Sequence, residues 1–190
     1  IKRIESFSFQ DCKTLKRIEF SNDSNIESIG QYAFYNSSLN KIKFPQNLSL
    51  IGEYSFAFCR NFSQIEFSKK SNLKVIDRYT FNESAIESIA IPSTITKISD
   101  HSFAFCRKLK YVDFPENCEL KTIDKHAFYG SAIKCIQIPS CVTEIGDNAF
   151  SFCRNIQIVE ISDQSKLKKY KKNSFSVSSL KIIMSSIKLI

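Results

Sequence analysis

Glycine, histidine and long apolar runs are scarce in this chain, and each scarcity closes off a class of function. Four glycines in 190 residues leave no Gly-rich loop able to cradle a phosphate through successive backbone amides. Two histidines, His101 and His126, come without a third confident metal ligand, and the neighbouring Lys125 works against a cation there. No apolar run reaches the roughly 18–20 residues a helix needs to cross a bilayer, although 43% of the chain is hydrophobic. Acids are missing from Lys166 onward. There is no initial methionine: Ile1 already sits at a repeat position, and Leu189 falls where a further repeat would begin. Neither end carries the polar capping repeat that closes a repeat array. The chain therefore reads as a fragment of a longer array, and the lack of a targeting segment carries no weight.

What is present is a period. Phe9, Phe34, Phe56, Phe81, Phe103, Phe128, Phe150 and Phe175 are separated alternately by 25 and 22 residues, a 47-residue unit running through all 190 positions. Such regularity marks a solenoid whose coils touch only their neighbours. Five residues before each key phenylalanine stand Ile4, Ile29, Ile51, Ile76, Ile98, Ile123 and Ile145, with Tyr170 the one departure. After it, odd coils read Phe-x-x-Cys-x-x-apolar-x-x-apolar-x-apolar, as in Phe103, Cys106, Leu109, Val112 and Phe114. Even coils are one residue shorter and carry serine in place of cysteine, as in Phe128, Ser131, Ile133, Ile136 and Ile138. The closing apolar-x-apolar is a half-buried strand, ended by Pro45, Pro92, Pro115 or Pro139 where an amide donor is lost. A second short extended segment falls near Val142 to Ile145. The stretch from Asp147 to Cys153 is too short for an ordinary helix and predicts a tight or 3₁₀ turn.

The repeat decides how most of the seven cysteines are read. Cys12, Cys59, Cys106 and Cys153 share one position, two coils or about 9–10 Å apart, beyond the roughly 7 Å between α-carbons that a disulfide spans. Ser37, Ser84, Ser131 and Ser178 fill that place in the other coils, so a small interior side chain is expected there. Cys118 and Cys141 instead follow the strand in adjacent coils, within bridging reach. They form either a disulfide or two free turn thiols. His101 and His126 continue a column of Phe7, Tyr32, Tyr54 and Tyr79, for which stacking suffices without a metal.

Leu-x-x-Ile-x-Ile-Pro followed by Val-Thr-x-Ile-Gly-x-x-Ala-Phe-x-x-Cys resembles the BspA-type leucine-rich repeat. The best copy runs from Ile133, Ile136, Ile138 and Pro139 to Val142, Thr143, Ile145, Gly146, Ala149, Phe150 and Cys153. Asp77, Ser99 and Asp124 replace the glycine elsewhere. The resemblance covers essentially all 190 residues. It implies a leucine-rich repeat horseshoe of eight coils in one domain, with one parallel β-strand per coil on the concave face and little helix. It also implies a surface-exposed or secreted protein of oral bacteria or protists that adheres to host or extracellular-matrix proteins. The family has no shared catalytic residues, and nothing in the residues themselves supports an enzyme or a cofactor.

Two surfaces are candidates for a partner. Outward strand positions vary on a constant scaffold, and Tyr111, Asp113, Gln137, Ile158 and Glu160, with Cys135 among them, combine apolar anchors with acids. Toward the N-terminus Lys43 lies between Glu19 and Glu66, so the charges there neutralise one another. The second is the lysine cluster Lys166, Lys168, Lys169, Lys171 and Lys172. The formal charge of +8 belongs to the last coil, because the rest of the chain balances to +1. That cluster suits a glycosaminoglycan or acidic membrane, or it is a solvated edge that discourages strand pairing. No basic stripe runs along the coils, so nucleic acid is not expected. An intracellular scaffold of the same fold is the competing reading to a surface adhesin. Asn-x-Ser sequons begin at Asn22, Asn36, Asn47, Asn61 and Asn82. Of these, Asn61 precedes the interior Phe62 and is expected to be poorly accessible.

Overall fold

The computed structural model describes residues 1–21, 23–162, 164–171, 173–176 and the backbone of 181–184. Over these residues the chain winds as a parallel β-solenoid without a helix. Each coil begins with a two-residue strand: Arg3–Ile4, Ser28–Ile29, Leu50–Ile51, Val75–Ile76, Lys97–Ile98, Thr122–Ile123, Glu144–Ile145 and Lys169–Tyr170. Their isoleucines stand in register within two ladders, Ile4 to Ile51 and Ile76 to Ile145, as in Ile98↔Ile123 and Ile123↔Ile145, and Ile29, Ile98 and Ile123 are fully buried.

Those phenylalanines form one continuous stack. Adjacent rings lie 5.1 Å apart from Phe9 to Phe34 and from Phe34 to Phe56, and 5.2 Å from Phe103 through Phe128 and Phe150 to Phe175. From Phe34 to Phe150 they are entirely shielded from solvent. Phe56 and Phe103 thus occupy matching places two coils apart, as the spacing requires. A parallel column of Phe7, Tyr32, Tyr54, Tyr79, His101 and His126 stacks at 4.5–5.2 Å beside it.

The longer strands pair Lys41–Lys43 with Gln64–Glu66, Ser88–Ala90 with Tyr111–Asp113, and Cys135–Ile138 with Ile158–Ile161, which pairs in turn with Lys181–Met184. Parallel strands stack on this face, as expected, but their ladder is interrupted after Glu66 and after Asp113. Both interruptions follow an odd coil. The same succession pairs at Ile158–Ile161, so the extra residue of odd coils is not the cause by itself. What distinguishes the two places is burial. Ile65, Phe67, Val112 and Phe114 are only partly buried against the core, whereas Val159 and Ile161 are buried.

The turn between the two strands is a run of consecutive β-turns, not a 3₁₀ helix. In the second coil, the amides of Ala33, Tyr35 and Ser37 bond back to the carbonyls of Gly30, Tyr32 and Phe34. Its tightness requires a left-handed residue two before and two after the key phenylalanine. These places hold Tyr54 (φ 57°) and Phe58 (φ 59°), or His126 (φ 55°) and Gly130 (φ 66°). Only Gly130 takes that conformation at no steric cost. Gly30 and Gly146 serve differently: a β-carbon there would meet the preceding coil's backbone nitrogen at 2.4 Å, so they permit close approach of two coils.

Three of the four repeat cysteines, Cys59, Cys106 and Cys153, are interior, as expected; Cys12, in the first coil, is half-buried. The thiol of Cys106 donates to the Phe81 carbonyl at 3.1 Å and lies 3.4 Å from the Ser84 hydroxyl. Cys59 and Cys153 repeat the arrangement with Phe34 and Ser37, and with Phe128 and Ser131. Burial pushes the Cys106 thiol up to about 12 and Cys153 up to about 11, which removes the thiolate needed for reactivity. Ser178, the last member of the serine series, lies outside the described residues.

Candidate partner-binding surface

The long-strand face presents a row of side chains from each of two outward positions. Registers Ser88↔Tyr111 and Ala90↔Asp113 place the first part, and Cys135↔Ile158 and Gln137↔Glu160 the second. Tyr111 is 54% exposed. Asp113, Cys135, Gln137 and Glu160 are exposed, and Ile158 is half-buried. The sequence-nominated group is therefore brought onto one face, although the ladder is interrupted between Asp113 and Cys135.

Charge divides this face into two parts. Toward the N-terminus the ions are paired: Arg17 with Glu19 at 3.3 Å and Lys43 with Glu66 at 3.0 Å. An open groove of about 1050 Å³ lies over the same coils, lined by residues that include Lys41, Lys43, Phe44 and Glu66. Phe44 and Phe67, whose rings lie 5.2 Å apart, both line it, and nothing in the sequence marked it. Asp113 and Glu160 are different, since no ion pair reaches either among the described residues.

The remaining candidates fall elsewhere. Cys118 and Cys141 meet, their sulfurs 2.8 Å apart as thiols. Burial and the neighbouring sulfur push Cys141 up to about 11. Cys135 is exposed on the long-strand face and belongs to no such pair. Lys166, Lys168, Lys169 and Lys171 are exposed along the edge of the last described coil. Lys172 lies outside the described residues. Among the sequons, Asn82 is buried and donates to the Ala104 carbonyl at 3.0 Å, so it cannot accept a glycan. Asn61 is exposed, contrary to expectation, because the turn after Cys59 carries it outward while Phe62 alone turns in. Asn22 lies outside the described residues.

Asp100, His101 and His126 present ligand-type atoms within 4.8 Å of one another. The Asp100 carboxylate is 2.6 Å from His101 Nδ1, 3.5 Å from Arg78 Nη2, 3.7 Å from Lys125 Nζ and 3.8 Å from His126 Nδ1. Two permanent cations already compensate this buried acid, which fits a structural ion network better than a cation site. His126 Nδ1 is buried and makes no hydrogen bond. Burial, and next the adjoining His101, hold His126 below the ordinary histidine value, opposed by Asp100. The unfolded chain takes up this proton near pH 6.5, the folded chain only at lower pH, so stability falls as pH falls through that window. His126→Phe keeps the stack and removes the proton site. Its melting temperature should decline less than the parent's between about pH 7 and pH 5, with Asp100, His101, Lys125 and Tyr129 unchanged around it. Parallel declines in thermal melts would assign the acid sensitivity to another group.

The sequence matches the BspA type leucine rich repeat region over residues 1–76 and 74–190, in six copies. Among solved structures, a leucine-rich repeat protein from Bacteroides ovatus superposes with a TM-score of 0.77 at 23% identity, over 96% of this chain and 52% of that one. A leucine rich cell surface protein from Faecalibacterium prausnitzii gives 0.56 at 23% identity, over 91% and 50%. A leucine-rich repeat protein from Eubacterium ventriosum gives 0.54 at 24% identity, over 95% and 50%. The chain spans about half the length of these structures. No curated protein matches it in sequence.

Proposed function

The chain belongs to the BspA-type leucine-rich repeat family, and we propose that it is a non-enzymatic protein-binding module of a cell-surface or secreted protein. The partner is a protein, of the host or of the extracellular matrix, and it docks on the long-strand face over Tyr111, Asp113, Gln137, Ile158 and Glu160. One observation carries the choice of surface. Asp113 and Glu160 lack ion pairs among the described residues, while the acids at the other end of the same face are neutralised by their own neighbours. Unpaired acids beside an exposed tyrosine suit a partner that brings lysine or arginine around an apolar contact. Surface location is supported by the family and by the description of the Faecalibacterium relative as a cell surface protein.

The side chains concerned are peripheral to the core, so their removal leaves the fold intact. Tyr111→Ala and Ile158→Asp should each weaken capture of a protein from an extracellular-matrix extract by about tenfold, with the circular-dichroism melt nearly unchanged. Affinity equal to the parent's in both variants would move the site off this face. Antibody staining of intact against permeabilised cells tests the location. Signal only after permeabilisation would favour an intracellular scaffold.

A further inference from the structure

A second surface, independent of the long-strand face, lies at the corner where the turn runs into the longer strand. In the third, fifth and seventh coils the key phenylalanine opens the same five-residue phrase: Phe56-Ala57-Phe58-Cys59-Arg60, Phe103-Ala104-Phe105-Cys106-Arg107 and Phe150-Ser151-Phe152-Cys153-Arg154. The first phenylalanine and the cysteine of each phrase fill the interior. The second does not. Phe58, Phe105 and Phe152 hold φ of 59°, 57° and 58°, a conformation that disfavours a bulky residue, and Phe152 remains 54% exposed. The intervening coils place Asn36, Glu83 and Gly130 at this position, so packing alone does not demand an aromatic ring. The left-handed position belongs to the turn in odd and even coils alike; what these three coils add is a ring that the interior does not take up, half-buried at Phe58 and Phe105 and exposed at Phe152.

Arginine follows each ring by two residues. Arg60 pairs with Glu83 of the next coil at 3.3 Å. Where the fifth coil would find the corresponding acid there is Gly130, and a β-carbon on it would meet the Phe105 ring at 2.9 Å. Arg107 and Arg154 are exposed and have no ion pair among the described residues. Phe105, Arg107, Tyr129, Gly130, Phe152 and Arg154 together line a cleft of about 380 Å³. Its walls are aromatic and its charge is positive and uncompensated.

The spacing selects the occupant. Equivalent residues two coils apart repeat every roughly 9.6 Å, twice the parallel-strand spacing. An extended β-strand returns to the same side about every 6.8 Å. A polyproline II helix returns after three residues, about 9.3 Å, and aromatic-lined grooves favour that helix because it is ordered before it binds. Planar guanidinium groups grip carboxylates through paired hydrogen bonds. We propose that this corner docks a polyproline II segment carrying a carboxylate at every third residue, its prolines against Phe105, Tyr129 and Phe152 and its acids on Arg107 and Arg154.

The test titrates the full chain into a fluorescent peptide of four Glu-Pro-Pro triplets, followed by anisotropy. A Lys-Pro-Pro peptide, a Glu-Pro peptide with acids at every second residue, and a heparin-derived oligosaccharide serve as comparators. The Glu-Pro-Pro peptide should bind, with both comparator peptides weaker by about tenfold or more, and the signal should fall as salt is added. The double substitution Arg107→Gln with Arg154→Gln should lower affinity by about tenfold, and Phe152→Ala by about fivefold, roughly one lost aromatic contact. Tyr111→Ala should leave this binding unchanged. Because the three substituted side chains are exposed or half-exposed, an unaltered melt confirms the fold. No binding of Glu-Pro-Pro, equal binding of the Glu-Pro peptide, an undiminished double variant, or binding of the oligosaccharide in place of the peptide would each overturn the proposal.

Discussion

Replacing Phe103 by alanine is expected to destabilise the chain by about 3–5 kcal/mol, the range for deleting a buried ring. Phe103 is wholly buried and stacked on both sides, 5.3 Å from Phe81 and 5.2 Å from Phe128. Its removal opens a cavity that backbone hydrogen bonds on either side keep from collapsing, since the amides of Phe81 and Phe103 are themselves bonded to Ser102 and Ala127 of the following coils. The effect should depend on place in the array. Phe9 is only partly buried and has one stacked neighbour among the described residues, so Phe9→Ala should cost markedly less. In a solenoid a central defect also severs the nearest-neighbour coupling on which every coil depends. For a domain of this size the loss is roughly 6–20 °C in melting temperature. Equal losses for Phe9→Ala and Phe103→Ala in urea or thermal melts would show that the stack is not one coupled column.

Oxidation of Cys118 and Cys141 is the second large effect. Their sulfurs already touch across adjacent coils, 2.8 Å apart, and closing a loop of roughly two dozen residues should add about 3 kcal/mol by restricting the unfolded chain. The two thiols give up two electrons and two protons to a disulfide such as oxidised glutathione, which is reduced to two thiols. With Cys141 pushed up to about 11, its thiolate is rare near neutrality, so the exchange should be slow at pH 7 and quicken toward pH 9. Intact mass after thiol labelling should show two cysteines protected, with the melt raised, and Cys141→Ser should abolish both changes. Labelling follows denaturation, so that burial shields no thiol; a disulfide found at Cys106 or Cys153 instead would contradict their interior places, and seven labelled thiols after oxidation would rule out the bridge. Oxidation would also join the fifth and sixth coils at the turns that follow the strands Tyr111–Asp113 and Cys135–Ile138.

The glycines and the left-handed positions show how differently two backbone demands are written. Three glycines recur four residues before the key phenylalanine, yet they serve coil-to-coil approach and none of the three has positive φ. The residues that do carry positive φ are, besides Gly130, tyrosines, phenylalanines, histidines, asparagines, Asp11 and Glu83, and the tyrosines, phenylalanines and glutamate among them have no local preference for it. Here coil stacking overrides local preference: alternate turn amides, such as those of Tyr54, Phe56 and Phe58, bond to the next coil, and they repay the strained conformation. The stacked histidines were legible because their column begins with aromatic residues. The cations that compensate Asp100 beside them were not, since Arg78 and Lys125 come from different coils.

Period and polarity alone determined that this is a coiled array, which side chains face its interior, and that Cys106 and its equivalents are structural. Those properties follow from each coil's own spacing, because a residue's direction along a tight coil repeats with the chain and needs no partner to define it. Only the tertiary structure decided where the long-strand ladder breaks, which arginines and acids are left uncompensated, that Asn61 is exposed while Asn82 is not, and that Phe105 and Phe152 frame a cleft over Gly130. Each of these depends on what the neighbouring coil places a few ångströms away, and the charge, room or hydrogen bond found there is set by a residue more than twenty positions distant.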